Sequence, residues 1–175
     1  MSGTSTAPNP PSPRHEPVVR RSLHVRDVMR RGVRTCEPDH NLAQAGRMMA
    51  ETGCYALPVL DAEGCVIGLL TDRDVCLTLS RRNRRPSNLS VREALPGRFP
   101  SCQADDLLRD GLETMRRHKV RRLAVVDDQH RLQGVLNLDD VLLQARIGRG
   151  DSLGPSYLEV ATVVEALVEH CPALT

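Results

Sequence analysis

The stretch Gly68-Leu69-Leu70-Thr71-Asp72-Arg73-Asp74 holds the residues best spaced for recognition chemistry in this chain. An apolar run stops at Thr71 and helical spacing begins, so the Thr71 hydroxyl and the Asp74 carboxylate, three residues apart, face one helix mouth. Two uses fit that arrangement. In one, Thr71 caps the first-turn amides and Asp74 sits at the positive end of the helix dipole. In the other, the hydroxyl and carboxylate hydrogen-bond a ribose diol, while helix amides and nearby arginines attract a phosphate. Spacing alone leaves both open. A related stretch, Gly134-Val135-Leu136-Asn137-Leu138-Asp139-Asp140, has Asn137 in place of Thr71, which can cap and hydrogen-bond but lacks the hydroxyl.

Two cationic segments offer further chemistry. Arg116-Arg117-His118-Lys119-Val120-Arg121-Arg122 leads into an apolar strand and suits a phosphate chain, or equally a helix end whose cations complement the negative dipole. Its counterpart Ala50-Glu51-Thr52-Gly53-Cys54-Tyr55-Ala56 is nearly uncharged. Arg81-Arg82-Asn83-Arg84-Arg85-Pro86 reads as a solvated linker, or as a contact for an acidic partner. Catalysis is poorly supported. The six histidines (His15, His24, His40, His118, His130, His170) form no pattern with Ser, Asp or Glu of the kind nucleophilic or metal-hydrolase sites use, and no Walker-type glycine loop occurs. Six cysteines without a C-x-x-C pair argue against a zinc site or a disulfide framework, and Cys36 and Cys102 read as small buried hydrophobes.

The elements that position these residues come in duplicate. Residues 25–79 recur as 91–145 at a constant offset of 66 without a gap: Val25-Arg26 as Val91-Arg92, Cys36 as Cys102, Met49 as Met115, Leu57-Pro58-Val59-Leu60-Asp61 as Leu123-Ala124-Val125-Val126-Asp127, and Asp74-Val75 as Asp140-Val141. A unit of about 55 residues buries too little surface to stand alone, so the copies are expected to pack together about a pseudo-twofold axis, leaving two related clefts. In the first copy, Val33 to Cys36 is expected as a strand and Asp39 as the cap of a helix ending near Gly53. Tyr55 to Leu60 and Cys65 to Leu70 then form a hairpin, and a second helix starts at Thr71. The second copy repeats this as Phe99 to Cys102, a helix from Asp106 to His118, a hairpin of Arg121 to Val126 and Arg131 to Leu136, and a helix from Leu138. The fold class is α/β (α+β), in tandem β-α-β-β-α repeats.

The organisation read from this pattern is a proline-rich disordered tail (1–22), repeat 1 (23–80), a linker (81–90), repeat 2 (91–147) and a C-terminal extension (148–175). Gly148, Gly150 and Gly154 make a joint in that extension, and Ser156 caps a helix with Leu158, Ala161, Val164, Leu167 and Val168 on one face, which is expected to seal the module, form a dimer contact or dock a partner. A balance of 24 basic against 22 acidic residues, net +2, does not favour bulk nucleic-acid binding. No apolar run approaches the length of a membrane span or a secretory signal, which gives the expectation of a cytoplasmic protein with no membrane partner.

The two copies together resemble the CBS-domain pair, or Bateman module, whose repeats carry a Gly-x-x-[Thr/Ser]-x-x-Asp signature after the third strand and a Leu-Pro-Val-h-Asp-like strand before it. The resemblance covers residues 25 to 145; the first copy matches both elements, and the second departs at Ala124 and Asn137. It implies a stand-alone regulatory module that binds AMP, ATP or S-adenosylmethionine between the copies, with no catalytic cofactor or metal. It further implies a homodimer that transmits ligand binding to a regulated protein whose identity is open. Carried over by position, one site joins Leu69, Thr71 and Asp74 to Val120, Arg121 and Arg122. The other joins Val135, Asn137 and Asp140 to Cys54, Tyr55 and Ala56. The charge asymmetry implies that the Thr71 cleft takes the more phosphorylated ligand. The rival readings are a ligand-free interaction scaffold and a nucleic-acid-binding regulator that uses the basic segments.

Overall fold

The computed structural model describes residues 22–97, 99–147 and 155–169. The proline-rich tail before Ser22 and the glycine joint at 148–154 lie outside these residues. Each copy is built on an antiparallel hairpin with a helix on either side in sequence. In the first, α1 (Leu42–Thr52) precedes β1 (Ala56–Leu60) and β2 (Val66–Thr71), and α2 (Asp72–Arg82) follows. After the short helix α3 (Val91–Ala94), the second runs β3 (Ser101–Cys102), α4 (Leu108–His118), β4 (Arg122–Val126), β5 (Leu132–Asn137) and α5 (Leu138–Ile147), and α6 (Tyr157–Glu169) ends the described chain.

The copies match down to the backbone. Leu57 opposes Leu70 as Leu123 opposes Leu136, and both hairpins carry a bulge at the same place, Val59/Leu60 and Val125/Val126. The turn aspartates also agree: Asp61 Oδ1 accepts the Glu63 and Cys65 amides, and Asp127 Oδ1 those of Gln129 and Arg131. The left-handed residue that closes this turn is Gly64 in the first copy and His130 in the second, at φ 81° and 59°. A glycine adopts that conformation without strain, whereas His130 must be held there by the turn hydrogen bonds.

The expected first strands shrink. Ser101–Cys102 pairs parallel with Ala124–Val125, and its counterpart in the first copy is a single bridge from Cys36 to Val59. The helix cap expected at Asp39 falls instead on Asn41, whose side chain accepts the Gln44 amide at 2.9 Å while Gln44 reaches back to the Asn41 amide. Asn41 suits that position because its short carbonyl side chain reaches the third helical amide. The helix expected from Asp106 begins at Leu108.

The two cores are interleaved. Val25 and Val28, at the start of the first copy, are buried among Leu108, Leu112, Leu123 and Leu136 of the second, and backbone bonds tie Val25 to Asp106 and Leu23 to Leu108. Reciprocally, Leu89, Val91 and Ala94 are buried in the first core with Leu42, Leu57 and Leu70, and Leu42 and Val91 bond to Leu89 and His40. Each opening segment therefore completes the other copy's core. A third cluster, Val66 with Ala124 and Val126 and the flanking Leu60, Phe99 and Leu132, joins the two hairpins.

Helix α6 packs against α4 and α5, and Ser156 caps it in a reciprocal arrangement with Glu159. Part of the apolar face read from the sequence is covered and part is exposed. Val160 and Val163 are buried with Leu167 partly so, whereas Leu158, Val164 and Val168 are exposed. Apolar residues occupy most positions from 160 to 168, so periodicity alone did not single out the stripe that α4 and α5 receive. Among the described residues no helix is long and apolar enough to cross a membrane.

Candidate ligand cleft

A cleft of about 710 Å³ opens between the copies. Its walls come from the segment Arg30–Thr35, the α1–β1 turn Thr52–Ala56, the start of β4 at Arg122, the end of β5 at Val135 and Asn137, and the start of α5 at Asp139 and Asp140. Local structure aims each part. Gly53, at φ 63°, ends α1 in the left-handed region and turns the chain so that Cys54, Tyr55 and Ala56 enter the cleft. Arg122 stands opposite Asn137 in the β4–β5 register, and its guanidinium lies over the Tyr55 ring, 5.7 Å from the centroid.

The acidic end of the cleft is a closed network. Asp140 Oδ2 accepts from Asn137 Nδ2 at 2.9 Å and from Arg30 Nε at 2.7 Å, and Oδ1 accepts from Arg30 Nη2 at 2.6 Å. The forked hydrogen bond from Arg30, helped by Asn137, holds the Asp140 carboxyl below its ordinary value against the opposing effect of burial. Arg30 is itself fixed through its backbone: its amide donates to the Val135 carbonyl and its carbonyl accepts the Val135 amide, at 2.9 and 3.0 Å. Gly134 permits this approach, because a Cβ there would lie 2.5 Å from the Arg30 carbonyl oxygen. Four arginines, Arg30, Arg31, Arg34 and Arg122, line the cleft against two carboxylates, Asp139 and Asp140, so its potential suits an anion.

The structure brings together all six residues of the second site read from the sequence: Val135, Asn137, Asp140, Cys54, Tyr55 and Ala56. Arg122, grouped there with Thr71, lines the same cleft. Leu69, Thr71, Asp74, Val120 and Arg121 do not line it, nor do they line a second cleft of about 790 Å³ on the rim of the first copy, between residues 35–40 and 60–64. Thr71 and Asp74 instead satisfy each other. The Thr71 amide and hydroxyl donate to Asp74 Oδ2 at 2.9 and 2.5 Å, and the Asp74 amide donates back to the hydroxyl at 3.2 Å. Leu95 lies over Gly68, with Cδ2 2.7 Å from where a Cβ would stand, and Leu69 is buried.

The expected charge asymmetry left out the arginines of the Asn137 cleft. Arg116 is paired with Glu113 on its own helix at 2.7 and 2.8 Å, Lys119 terminates that helix in the left-handed region, and the arginine-lined cleft is the Asn137 one. Sequence reasoning missed Arg30, Arg31 and Arg34. The available signal was a break in the repeat: their counterparts at the offset of 66 are Pro96, Gly97 and Pro100. Pro96 has no N–H with which to form the equivalent bridge to Leu69. Among the described residues no cluster of three or more His, Cys, Asp or Glu is arranged to hold a metal.

A family profile described as the CBS domain matches residues 25–81 and 90–145. The chain belongs to the CBS-domain family. A CBS domain-containing protein of Bacillus subtilis, YhcV, is 32% identical over 117 residues, covering 67% of this chain and 81% of that protein. Homoserine O-acetyltransferase of Methanococcoides burtonii is 29% identical over 117 residues, but the chain spans only 23% of its length. Among solved structures, the CBS pair of MJ0100 in complex with 5'-methylthioadenosine and S-adenosyl-L-methionine superposes with a TM-score of 0.65 at 18% identity, covering 70% of this chain and 95% of that one. CBSX2 in complex with AMP gives 0.64 at 23% identity, covering 72% and 98%. At these identities the superpositions establish the shared α+β fold of a CBS pair.

Proposed function

We propose that this chain is a regulatory CBS-pair module that binds an adenosyl ligand, AMP, ATP or S-adenosylmethionine, in the cleft between its copies. The observation that carries the reading is the cleft itself: about 710 Å³ is ample for a nucleotide, and residues of both copies line it. Asp140 and Asn137 offer a carboxylate and an amide for a ribose diol, and the Tyr55 ring offers an aromatic face for a base. Two proteins of the same fold, MJ0100 and CBSX2, are solved with ligands of this class.

A ligand seated there touches Tyr55 of one copy and Asn137 of the other, and so biases their relative packing by the difference in its affinity for the two arrangements. The output is a change in contacts with a second copy of the chain or with a regulated protein. No catalytic step is assigned. A thermal melt with AMP, ATP or S-adenosylmethionine tests the reading. At about 100 times its dissociation constant a ligand adds about 2.7 kcal/mol, roughly 5 to 10 °C for a chain of this size. A flat response to all three leaves the interaction scaffold as the better reading.

A further inference from the structure

We propose that Arg30 selects phosphorylated nucleotides at the Asn137 cleft: its guanidinium exchanges Asp140 for a ligand phosphate, and that exchange frees the Asp140 carboxylate to take the ribose diol. The inference rests on the adenosyl-ligand reading above and narrows it to adenine nucleotides that carry at least one phosphate.

The exposures of the two partners make the exchange possible. The Asp140 side chain is only 12% exposed and that of Arg30 is 65% exposed. A nearly buried carboxylate cannot be left without donors, because its desolvation then goes uncompensated. An arginine largely in solvent gives up a screened ion pair at little cost. A ligand that offers only ribose hydroxyls must compete with a two-pronged charged donor for Asp140. One that also offers a phosphate supplies Arg30 with an equally good forked acceptor, so both halves of the broken pair are satisfied at once.

The backbone supports the same motion. Both Arg30 hydrogen bonds to Val135 come from the main chain, so the side chain can swing while its base stays fixed. Gly32, at φ 61°, turns the chain between Arg31 and Arg34, both of which line the same cleft and extend the cationic wall. That wall repels the sulfonium of S-adenosylmethionine and rewards a di- or triphosphate. The device is confined to one cleft, since the counterpart of Arg30 is Pro96.

Calorimetric titration of the full chain with ATP, AMP, adenosine and S-adenosylmethionine tests the exchange. ATP and AMP are expected to bind at least about tenfold tighter than adenosine or S-adenosylmethionine. In Arg30→Ala, ATP affinity is expected to fall about tenfold or more while adenosine affinity holds or rises, because Asp140 no longer has to be released. Arg30→Lys keeps the charge without the fork and should retain part of the preference, and it serves in place of Arg30→Ala should that variant melt early. Adenosine binding as tightly as ATP to the wild type, or an unchanged ATP-to-adenosine ratio in the folded variants, overturns the exchange and leaves the adenosyl-ligand reading standing. Failure of every adenosyl ligand to bind the wild type overturns both.

Discussion

The Arg122 guanidinium of the second copy rests 5.7 Å from the centroid of the Tyr55 ring of the first, across the cleft that joins them. That distance is within cation–π range, so an aromatic face is held at the cleft wall by a cation from the opposite side. A purine stacked on this ring would gain about 1–3 kcal/mol. Tyr55→Ala is therefore expected to weaken adenine-nucleotide binding about tenfold or more by calorimetry, with Tyr55→Phe close to wild type. Because Tyr55 is 61% exposed, stability should change by no more than about 0.5 kcal/mol.

The two signature glycines differ in what a methyl group would strike. At Gly134 it meets the Arg30 carbonyl oxygen at 2.5 Å, a backbone atom in the bridge to Val135; at Gly68 it meets the Leu95 Cδ2 at 2.7 Å, the end of a side chain with other rotamers. Gly134→Ala is expected to cost about 1–3 kcal/mol in urea unfolding and Gly68→Ala distinctly less. Gly134→Ala should also weaken ligand binding, because the main chain that anchors Arg30 must move. Equal costs at the two positions would remove the distinction between the clefts.

The repeat and the two hairpins were legible because they depend on local patterning: period-two strands, turn aspartates and a constant offset. The grouping of Val135, Asn137 and Asp140 with Cys54, Tyr55 and Ala56 came from the resemblance to the CBS pair, and all six line the cleft. Which opening segment fills which core was not legible. Val25 and Val91 look identical in sequence, and only the connection between copies decides that each is buried in the other's core. The arginines of the Asn137 cleft were missed for a similar reason. Thr71 and Asp74 have the better signature, yet they consume each other in a cap, and the arginines that enrich the Asn137 cleft lie outside the signature, where the two copies diverge.

Acid titration reads the Arg30–Asp140 pair directly. Asp140 is depressed below the ordinary 3.8, chiefly by the Arg30 hydrogen bond. The unfolded chain then takes up this proton more readily than the folded one. The stabilisation is complete above the unfolded value and is lost as pH falls through the lower folded value. The unfolding free energies of wild type and Arg30→Ala should differ by a small, constant amount between about pH 5 and 7, no more than about 1 kcal/mol for so exposed a partner, and the difference should shrink as the pH falls below the ordinary 3.8. A difference that does not shrink in acid would mean that Arg30 stabilises the fold by some other route.

Cysteine labelling tests the two cores. Burial pushes the thiols of Cys36 and Cys102 up to about 12, so neither is a thiolate nucleophile near neutrality. With iodoacetamide at pH 8, peptide mass spectrometry should find, among the described cysteines, exposed Cys76 modified first, with Cys36 and Cys102 modified only when the protein is unfolded. Rapid native labelling of either buried position would show that its core opens locally far below the global unfolding free energy.

Adjacent valines in α6 test which face of that helix packs. Val163 is 1% exposed within the second core, beside the cluster of Leu112, Val141 and Ala145, and Val164 is 41% exposed. Truncating a buried valine removes two methyl groups and leaves a cavity, whereas truncating an exposed one removes little contact and slightly favours the helix. Val163→Ala is expected to destabilise by about 1–3 kcal/mol in denaturant unfolding and Val164→Ala to remain within about 0.5 kcal/mol of wild type. The first copy has no helix equivalent to α6, and α2 contains no fully buried residue where α5 buries Leu138, Val141 and Ala145. The loss should therefore appear mainly in the second copy. Hydrogen exchange in Val163→Ala should rise in α4 and α5 before it rises in α1 and α2, and a reversed order would mean that α6 stabilises the pair as a whole.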